Sequence, residues 1–223
     1  MKRFYLTLLL AAATFMVCCK MDTPDMTGVT DTTTGFQPLT KGSTWSYHQT
    51  FNSTDHPATN EVISMSGKRS VINGKTYYEA TDKADTVIST TYFYQGNGSY
   101  SIRSAVLGSG ITVEYLYLKD DVAVGQTWTA PISDDGKIQG FPAQIVGRVI
   151  NRDTSMTISS MTFKHVAHTQ LKLQYKITTA FETYQLIDFY IGKGVGIIEI
   201  DTDAGQPLNL KSQQSVTSYK IEK

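Results

Sequence analysis

The feature that most constrains the fold is an apolar run at 184–200 that is interrupted by Gly192, Gly194 and Gly196. Aromatic and β-branched residues lie on both sides of the glycines, a pattern typical of two strands joined by a tight connection. Alternate residues of the first half form two faces, and both faces are largely apolar. The run therefore predicts a central hairpin that is covered on both sides, with Gly194 and Gly196 in structural roles.

Turn signals recur along the rest of the chain. Asn73-Gly74 is the strongest hairpin signal, because both residues tolerate the positive φ angles of a type I′ turn. Apolar spacing of the helical type is not sustained anywhere after the N-terminus, although 208–219 could form a helix. Residues 36–223 therefore predict one all-β domain, an antiparallel meander that forms a curved half-barrel or a barrel, with a β-sandwich as the alternative. Gly147, inside an alternating segment, suggests a β-bulge.

Two Gly-x-Thr-Trp units stand far apart in the sequence, Gly42 to Trp45 and Gly125 to Trp128. They are either a faint internal repeat or two separate turns that each lead into a strand with an anchoring indole. Both interpretations give these four residues structural roles.

The N-terminus has the pattern of a bacterial lipoprotein signal. Two basic residues precede the apolar run 4–17, which is too short to span a bilayer and matches a secretory signal peptide. The sequence before Cys18 and Cys19 resembles a lipobox, in which cleavage precedes an acylated cysteine. We expect a signal peptide at 1–18 and acylation, with palmitate for example, at Cys19; Cys18 is the alternative.

The segment 19–35 is rich in Thr, Asp and Gly and predicts a flexible tether. Several acyl chains on its cysteine would attach the protein firmly to a membrane. The expected location is the bacterial cell envelope, at the outer membrane, on either its periplasmic or its surface face. Lys plus Arg and Asp plus Glu each number 20, and this balance argues against nucleic-acid binding.

The sequence contains no recognisable catalytic motif. His165 and His168 are three residues apart in a strand-like segment, which places them on opposite faces and prevents them from binding one metal together. Asp201 and Asp203 have the alternation of a calcium loop, but the other acidic ligands of such a loop are missing, so a plain turn is the simpler interpretation. We expect neither a cofactor nor a metal, and a protein that is not an enzyme.

The aromatic residues offer the one functional option. Tyrosine is the commonest of them, with 13 residues. Six tyrosines on strand-like segments could line a concave surface for a lipid or a glycan, or could equally fill the rim of the core with their hydroxyls in water. These are Tyr92, Tyr94, Tyr115, Tyr117, Tyr175 and Tyr190.

Two motifs carry a resemblance to a group of proteins. The opening Phe-x-Pro-Leu-x-x-Gly-x-x-Trp-x-Tyr at 36–47 and the late Gly-Val-Gly at 194–196 resemble those of uncharacterised Gram-negative, Bacteroidota-type cell-envelope lipoproteins. The resemblance implies a secreted, lipid-anchored β protein. The chain is also similar in strand richness to periplasmic carriers of lipoproteins, but it lacks the helices that plug their half-barrels.

The leading hypothesis is a non-enzymatic envelope lipoprotein whose β domain binds an apolar small molecule or a protein partner. One alternative is a surface protein that binds or processes glycans. Another is a structural or assembly subunit that adds a partner strand to an exposed sheet edge.

Overall fold

The computed structural model describes residues 35–105 and 110–223, so the expected signal peptide, Cys18, Cys19 and nearly all of the tether lie outside it. The described residues form 13 strands and no helix. The strands are β1 Thr44–Phe51, β2 Thr59–Ile72, β3 Lys75–Ala84, β4 Val87–Gly96, β5 Ser99–Ala105, β6 Thr112–Lys119, β7 Thr127–Pro131, β8 Lys137–Ile138, β9 Phe141–Ile158, β10 Met161–Tyr175, β11 Glu182–Gly192, β12 Gly196–Ala204 and β13 Leu210–Lys220. Among these residues, no helix is long and apolar enough to cross a membrane.

The strands form one antiparallel sheet that curves into a nearly closed barrel. Its order is β6-β5-β4-β3-β2-β1-β13-β12-β11-β10-β9-β7, with β8 paired to β9. The two edges meet, since the amide of Glu114 donates to the carbonyl of Ile132 at 2.8 Å and the indole of Trp128 donates to that of Leu116 at 3.3 Å. The expectation of an all-β antiparallel barrel is confirmed.

The turns follow the local sequence. Asn73 and Gly74 have φ angles of 51° and 76°, as a type I′ turn requires. The glycine-interrupted run also forms the predicted hairpin, in which β11 ends at Gly192 and β12 begins at Gly196.

Three local expectations were wrong. The segment that could have been a helix is strand β13, because pairing with β1 and β12 satisfies its backbone. The first strand of the hairpin, β11, is not equally covered on both faces: Ile187 and Phe189 on the inner face are buried, whereas Leu186 and Tyr190 on the outer face are half-exposed. Gly147 lies in regular register with both neighbouring strands and forms no bulge.

One end of the barrel is closed by the chain segment that precedes β1. The amide of Gly194 donates to the carbonyl of Gly35 at 3.0 Å, and the hydroxyl of Tyr117 donates to Oε1 of Gln37 at 3.3 Å. Leu39 is buried in the core at this end. The segment thus runs across the barrel from β6 to the turn between β11 and β12.

Candidate ligand cavity

The barrel encloses a cavity of about 100 Å³. Side chains from nine strands line it, which places it inside the barrel and not on its outer surface. Most of the wall is apolar because alternate residues of each strand point inward. The principal apolar residues are Ile63, Phe93, Ile102, Ile187, Phe189 and Ile200.

One side of the wall is polar, and it lies away from the closed end. Gln49 comes near the end of β1, Glu61 near the start of β2 and Asp82 near the end of β3. In an antiparallel barrel these positions lie at the same end, opposite the start of β1. Gln214 of β13 and Gln185 of β11 join them there. The cavity therefore has an apolar body with a polar group of side chains at one end.

Two buried carboxyl groups dominate this polar wall. Glu61 is paired with Ala84 and Asp82 with Ile63, so the two acids are diagonal neighbours on the inner face of β2 and β3. Glu61 is 7% exposed and Asp82 1%. Gln214 donates a side-chain hydrogen bond to Oε2 of Glu61.

Burial determines the ionisation of this pair. Loss of hydration raises the pKa of the Glu61 carboxyl well above its ordinary value, and the neighbouring charge of Asp82 raises it further. Loss of hydration also raises the pKa of Asp82. In both cases the apolar surroundings oppose ionisation of the carboxyl group.

The hydrogen bonds of Asp82 are incomplete. Its Oδ2 accepts from the hydroxyl of Thr91 at 3.3 Å, but its Oδ1 has no hydrogen-bond partner among the described residues. Ser89 lies opposite Asp82 in the register, and its hydroxyl is close enough to lower the pKa of Asp82, but it makes no hydrogen bond of normal geometry among the described residues. Buried polar atoms without a partner are rare in folded proteins, and a water or a ligand group usually satisfies them.

The six tyrosines do not form one surface. Tyr115 lines the cavity. Tyr117 is fully buried and stacks on Phe189 with a centroid distance of 5.5 Å, and Tyr175 is buried against Tyr184.

The other three tyrosines alternate onto the outside of the barrel. Tyr92 is opposite Glu79 in the register, and Tyr94 lies beside Tyr77. Tyr190 stacks on His168 with a centroid distance of 4.4 Å. Since neighbouring strand residues point to opposite faces, a list of strand tyrosines divides between core and surface.

Asp201 and Asp203 lie inside β12 and not in a turn or a loop. Asp203 forms an ion pair with Lys211 at 2.9 Å, and Asp201 is opposite Asp188 in the register. Among the described residues, no group of His, Cys, Asp or Glu side chains has the geometry to hold a metal ion.

The two Gly-x-Thr-Trp units occupy equivalent local positions. Gly42 and Gly125 have φ angles of 87° and 83°, and each turn leads into a strand whose second residue is a buried tryptophan. The indole of Trp45 donates to the carbonyl of Val195 at 2.6 Å, and that of Trp128 reaches β6. Gly194 and Gly196, with φ angles of 73° and 100°, form the turn that receives Trp45.

Sequence reasoning missed the acid pair, although a weak signal was present. Glu61 alternates in phase with Ile63 and Met65, so a carboxylate stands on an apolar face. Asp82 is in the same position relative to Ala80 and Ala84. Such a pattern identifies a buried acid only after the structure has shown which face of the strand points inward.

Comparison with known proteins gives similarity of structure alone. No protein-family model matches the sequence, and no curated protein has a significantly similar sequence. A candidate lipoprotein from Parabacteroides distasonis superposes with a TM-score of 0.51 at 14% identity, over 84% of this chain and 99% of that one. A candidate exported protein with a YmcC-like fold from Bacteroides fragilis gives 0.51 at 9% identity, with the same coverage. The fold is shared with both.

Proposed function

We propose that this protein is a non-enzymatic, lipid-anchored protein of the bacterial cell envelope that binds a small apolar molecule inside its barrel. The observation that carries the proposal is the cavity, whose wall is apolar on most sides and polar at one end. Cavities of this composition are typical of small-molecule sites, in which apolar walls provide affinity and a few polar groups orient the ligand.

The envelope location rests on two supports. The first is the signal and lipobox pattern of residues 1–19. The second is that two proteins with the same fold are described as a candidate lipoprotein and a candidate exported protein. The outer membrane is the proposed site of attachment, because the resemblance to Gram-negative envelope lipoproteins points there.

A blocked cavity tests the binding proposal. Thr202 lines the cavity, and Thr202→Phe would place a ring inside it. Thr90→Phe is the matched control, since Thr90 is exposed on the outside of β4. The full chain, expressed in a Gram-negative host, is purified in each form and extracted with organic solvent, and the extracts are compared by mass spectrometry.

We expect an apolar compound in the extracts of the wild type and Thr90→Phe and none in that of Thr202→Phe. The binding of added isobutanol, measured by calorimetry, should follow the same order. Thermal unfolding verifies that each variant is folded, and Ser212→Leu is a second blocking variant if Thr202→Phe is not. Equal extracts and equal binding in all forms would refute the proposal.

A further inference from the structure

We propose that the ligand is a small apolar amine, with its ammonium group held by Glu61 and Asp82. The inference rests on the function proposed above and adds the chemical class of the ligand. It depends on four properties of the cavity: its charge, its unpartnered acceptor, its size and the arrangement of its polar end.

The charge of the cavity selects for a cation. Two carboxyl groups line it, and among the described residues no Lys, Arg or His lines it. Ionising these buried carboxyl groups without a positive partner is strongly unfavourable. A ligand that brings one positive charge would offset this cost, whereas an anionic ligand such as a fatty acid would increase it.

The hydrogen bonds select for a donor. Oδ1 of Asp82 is a buried acceptor without a partner, in a residue that is 99% buried and lines the cavity. An ionised carboxylate can only accept hydrogen bonds, so a ligand group that satisfies this oxygen must be a donor. An ammonium group carries three donors, and a bond from a charged donor to a carboxylate is among the strongest in proteins.

The other polar side chains at this end of the cavity leave Glu61 and Asp82 available to a ligand. The amide of Gln214 donates to one oxygen of Glu61, and the hydroxyl of Tyr47 is directed to the carbonyl of Ile197 at 2.8 Å. Burial raises the pKa of Tyr47, so this phenol stays neutral and supplies no competing charge. Glu61 and Asp82 are therefore the ionisable groups that a ligand head would meet first.

The size of the cavity limits the body of the ligand. A protein cavity of about 150 Å³ holds a benzene molecule. At about 100 Å³, this one is smaller and has room for a short branched alkyl group. Phe93 and Phe189 on its wall would contact such an aliphatic body directly.

Three probes with one body and different heads test the inference. Isobutylamine is an ammonium at neutral pH, isobutanol is neutral and 3-methylbutanoate is an anion. Binding of each to the full chain is measured by calorimetry at pH 7. We expect isobutylamine to bind at least tenfold more tightly than the alcohol, and the carboxylate to bind most weakly.

Two acid variants assign the effect to the pair. In Glu61→Gln and in Asp82→Asn, the affinity for isobutylamine should fall at least tenfold, while that for isobutanol changes less than twofold. Asp203→Asn is the control on the outer face of β12, where the same loss of charge lies outside the cavity. It should leave all three affinities unchanged.

The outcomes separate the two proposals. If none of the three probes binds, the proposed apolar binding itself fails. If the alcohol binds but the ammonium has no advantage, or if the acid variants keep it, the amine inference alone is overturned. That second result would mean that a buried water satisfies Asp82 and that the acids take no part in recognition.

Discussion

At the scale of single residues, Gly147 shows how the absence of a side chain places a tryptophan. A Cβ atom on Gly147 would lie 2.2 Å from Cε2 of Trp128, far inside van der Waals contact. The glycine therefore leaves space for the indole ring that lies across it and reaches the carbonyl of Leu116. The position requires a residue without a side chain. It does not require the backbone freedom of glycine, since the φ angle of Gly147 is not positive.

Gly147→Ala should consequently destabilise the barrel by about 1–3 kcal/mol, the usual cost of overpacking a core. Gly205→Ala is the matched control, because a Cβ there would meet nothing within 4 Å and its φ is also not positive. Chemical denaturation of both variants measures the change in the free energy of unfolding. Equal stabilities of the two variants would show that the indole moves without cost.

A second prediction at this scale concerns Glu61. A carboxyl whose pKa is raised by folding binds more protons in the folded protein than in the unfolded one, so its ionisation destabilises the fold. The destabilisation is absent below the ordinary value of 4.5 and grows as the pH rises from there through the raised pKa. Glu61→Gln removes this cost, since a neutral amide needs no charge to be buried.

We therefore expect the unliganded Glu61→Gln variant to melt at a higher temperature than the wild type at pH 8 and at a similar temperature at pH 4. Thermal unfolding monitored by circular dichroism across this range provides the measurement. A variant less stable than the wild type at pH 8 would contradict the assignment. The same substitution would lower amine affinity, so stability and binding oppose each other at this residue.

At the scale of elements, an ion pair fastens the two edges of the sheet. Arg103 of β5 donates two hydrogen bonds to Asp134, each at 2.7 Å, and Asp134 lies in the loop that follows β7. The amide of Asn73 reaches the same carboxylate at 2.9 Å, and Glu114 lies 3.7 Å from the guanidinium. Strands from both edges of the sheet thus converge on one buried arginine.

Asp134→Asn should loosen this closure. The guanidinium beside Asp134 holds the pKa of that carboxyl below its ordinary value of 3.8. Its contribution to stability is therefore fully present above pH 3.8 and is lost as the pH falls through the lowered pKa. Because the Asp134 side chain is about half exposed, we expect a global cost of about 1 kcal/mol or less.

The local effect should be larger and is measured by hydrogen exchange. Amides of the loop 132–137 and of β6 should exchange faster in Asp134→Asn than in the wild type at pH 7. Asp121→Asn is the control, since among the described residues Asp121 forms an ion pair with Lys119 alone, at 3.5 Å on an exposed surface. Unchanged exchange in the loop would show that backbone bonds alone close the barrel.

At the scale of the whole molecule, the two ends of the barrel have different roles. The segment before β1 covers one end and packs its side chains into the core, while the polar wall of the cavity lies toward the other end. The chain therefore enters the barrel on the side opposite the acid pair. The proposed attachment through residues before 35 would therefore leave the end with the acid pair free of the connection to the membrane.

The proposed attachment makes a prediction of its own. Cys19→Ser should abolish incorporation of radiolabelled palmitate and release the protein from the membrane fraction, because the acylated cysteine is the first residue after cleavage. Cys18→Ser should keep both the incorporation of palmitate and the association with the membrane fraction, since serine is also small enough for the position before the cleavage site. The reverse result would assign acylation to Cys18 instead.

Short-range interactions explain which features of the fold could be predicted from the sequence. Alternation of apolar residues, paired glycines and asparagines at turns, and the scarcity of helical spacing all act within about ten residues. They were sufficient for the all-β class, the Asn73-Gly74 turn and the hairpin around Gly194, and they favoured a curved barrel-like sheet over a sandwich.

The tertiary structure decided everything that depends on which face of a strand points inward. A strand pattern names two faces but not the inner one, so the six tyrosines divided between core, cavity and surface. Glu61 and Asp82 lie on different strands and meet through the register of β2 with β3. Closure, likewise, brings Arg103 to Asp134 across 31 residues of chain. Long-range pairing placed these groups together, and no local pattern in the sequence encodes it.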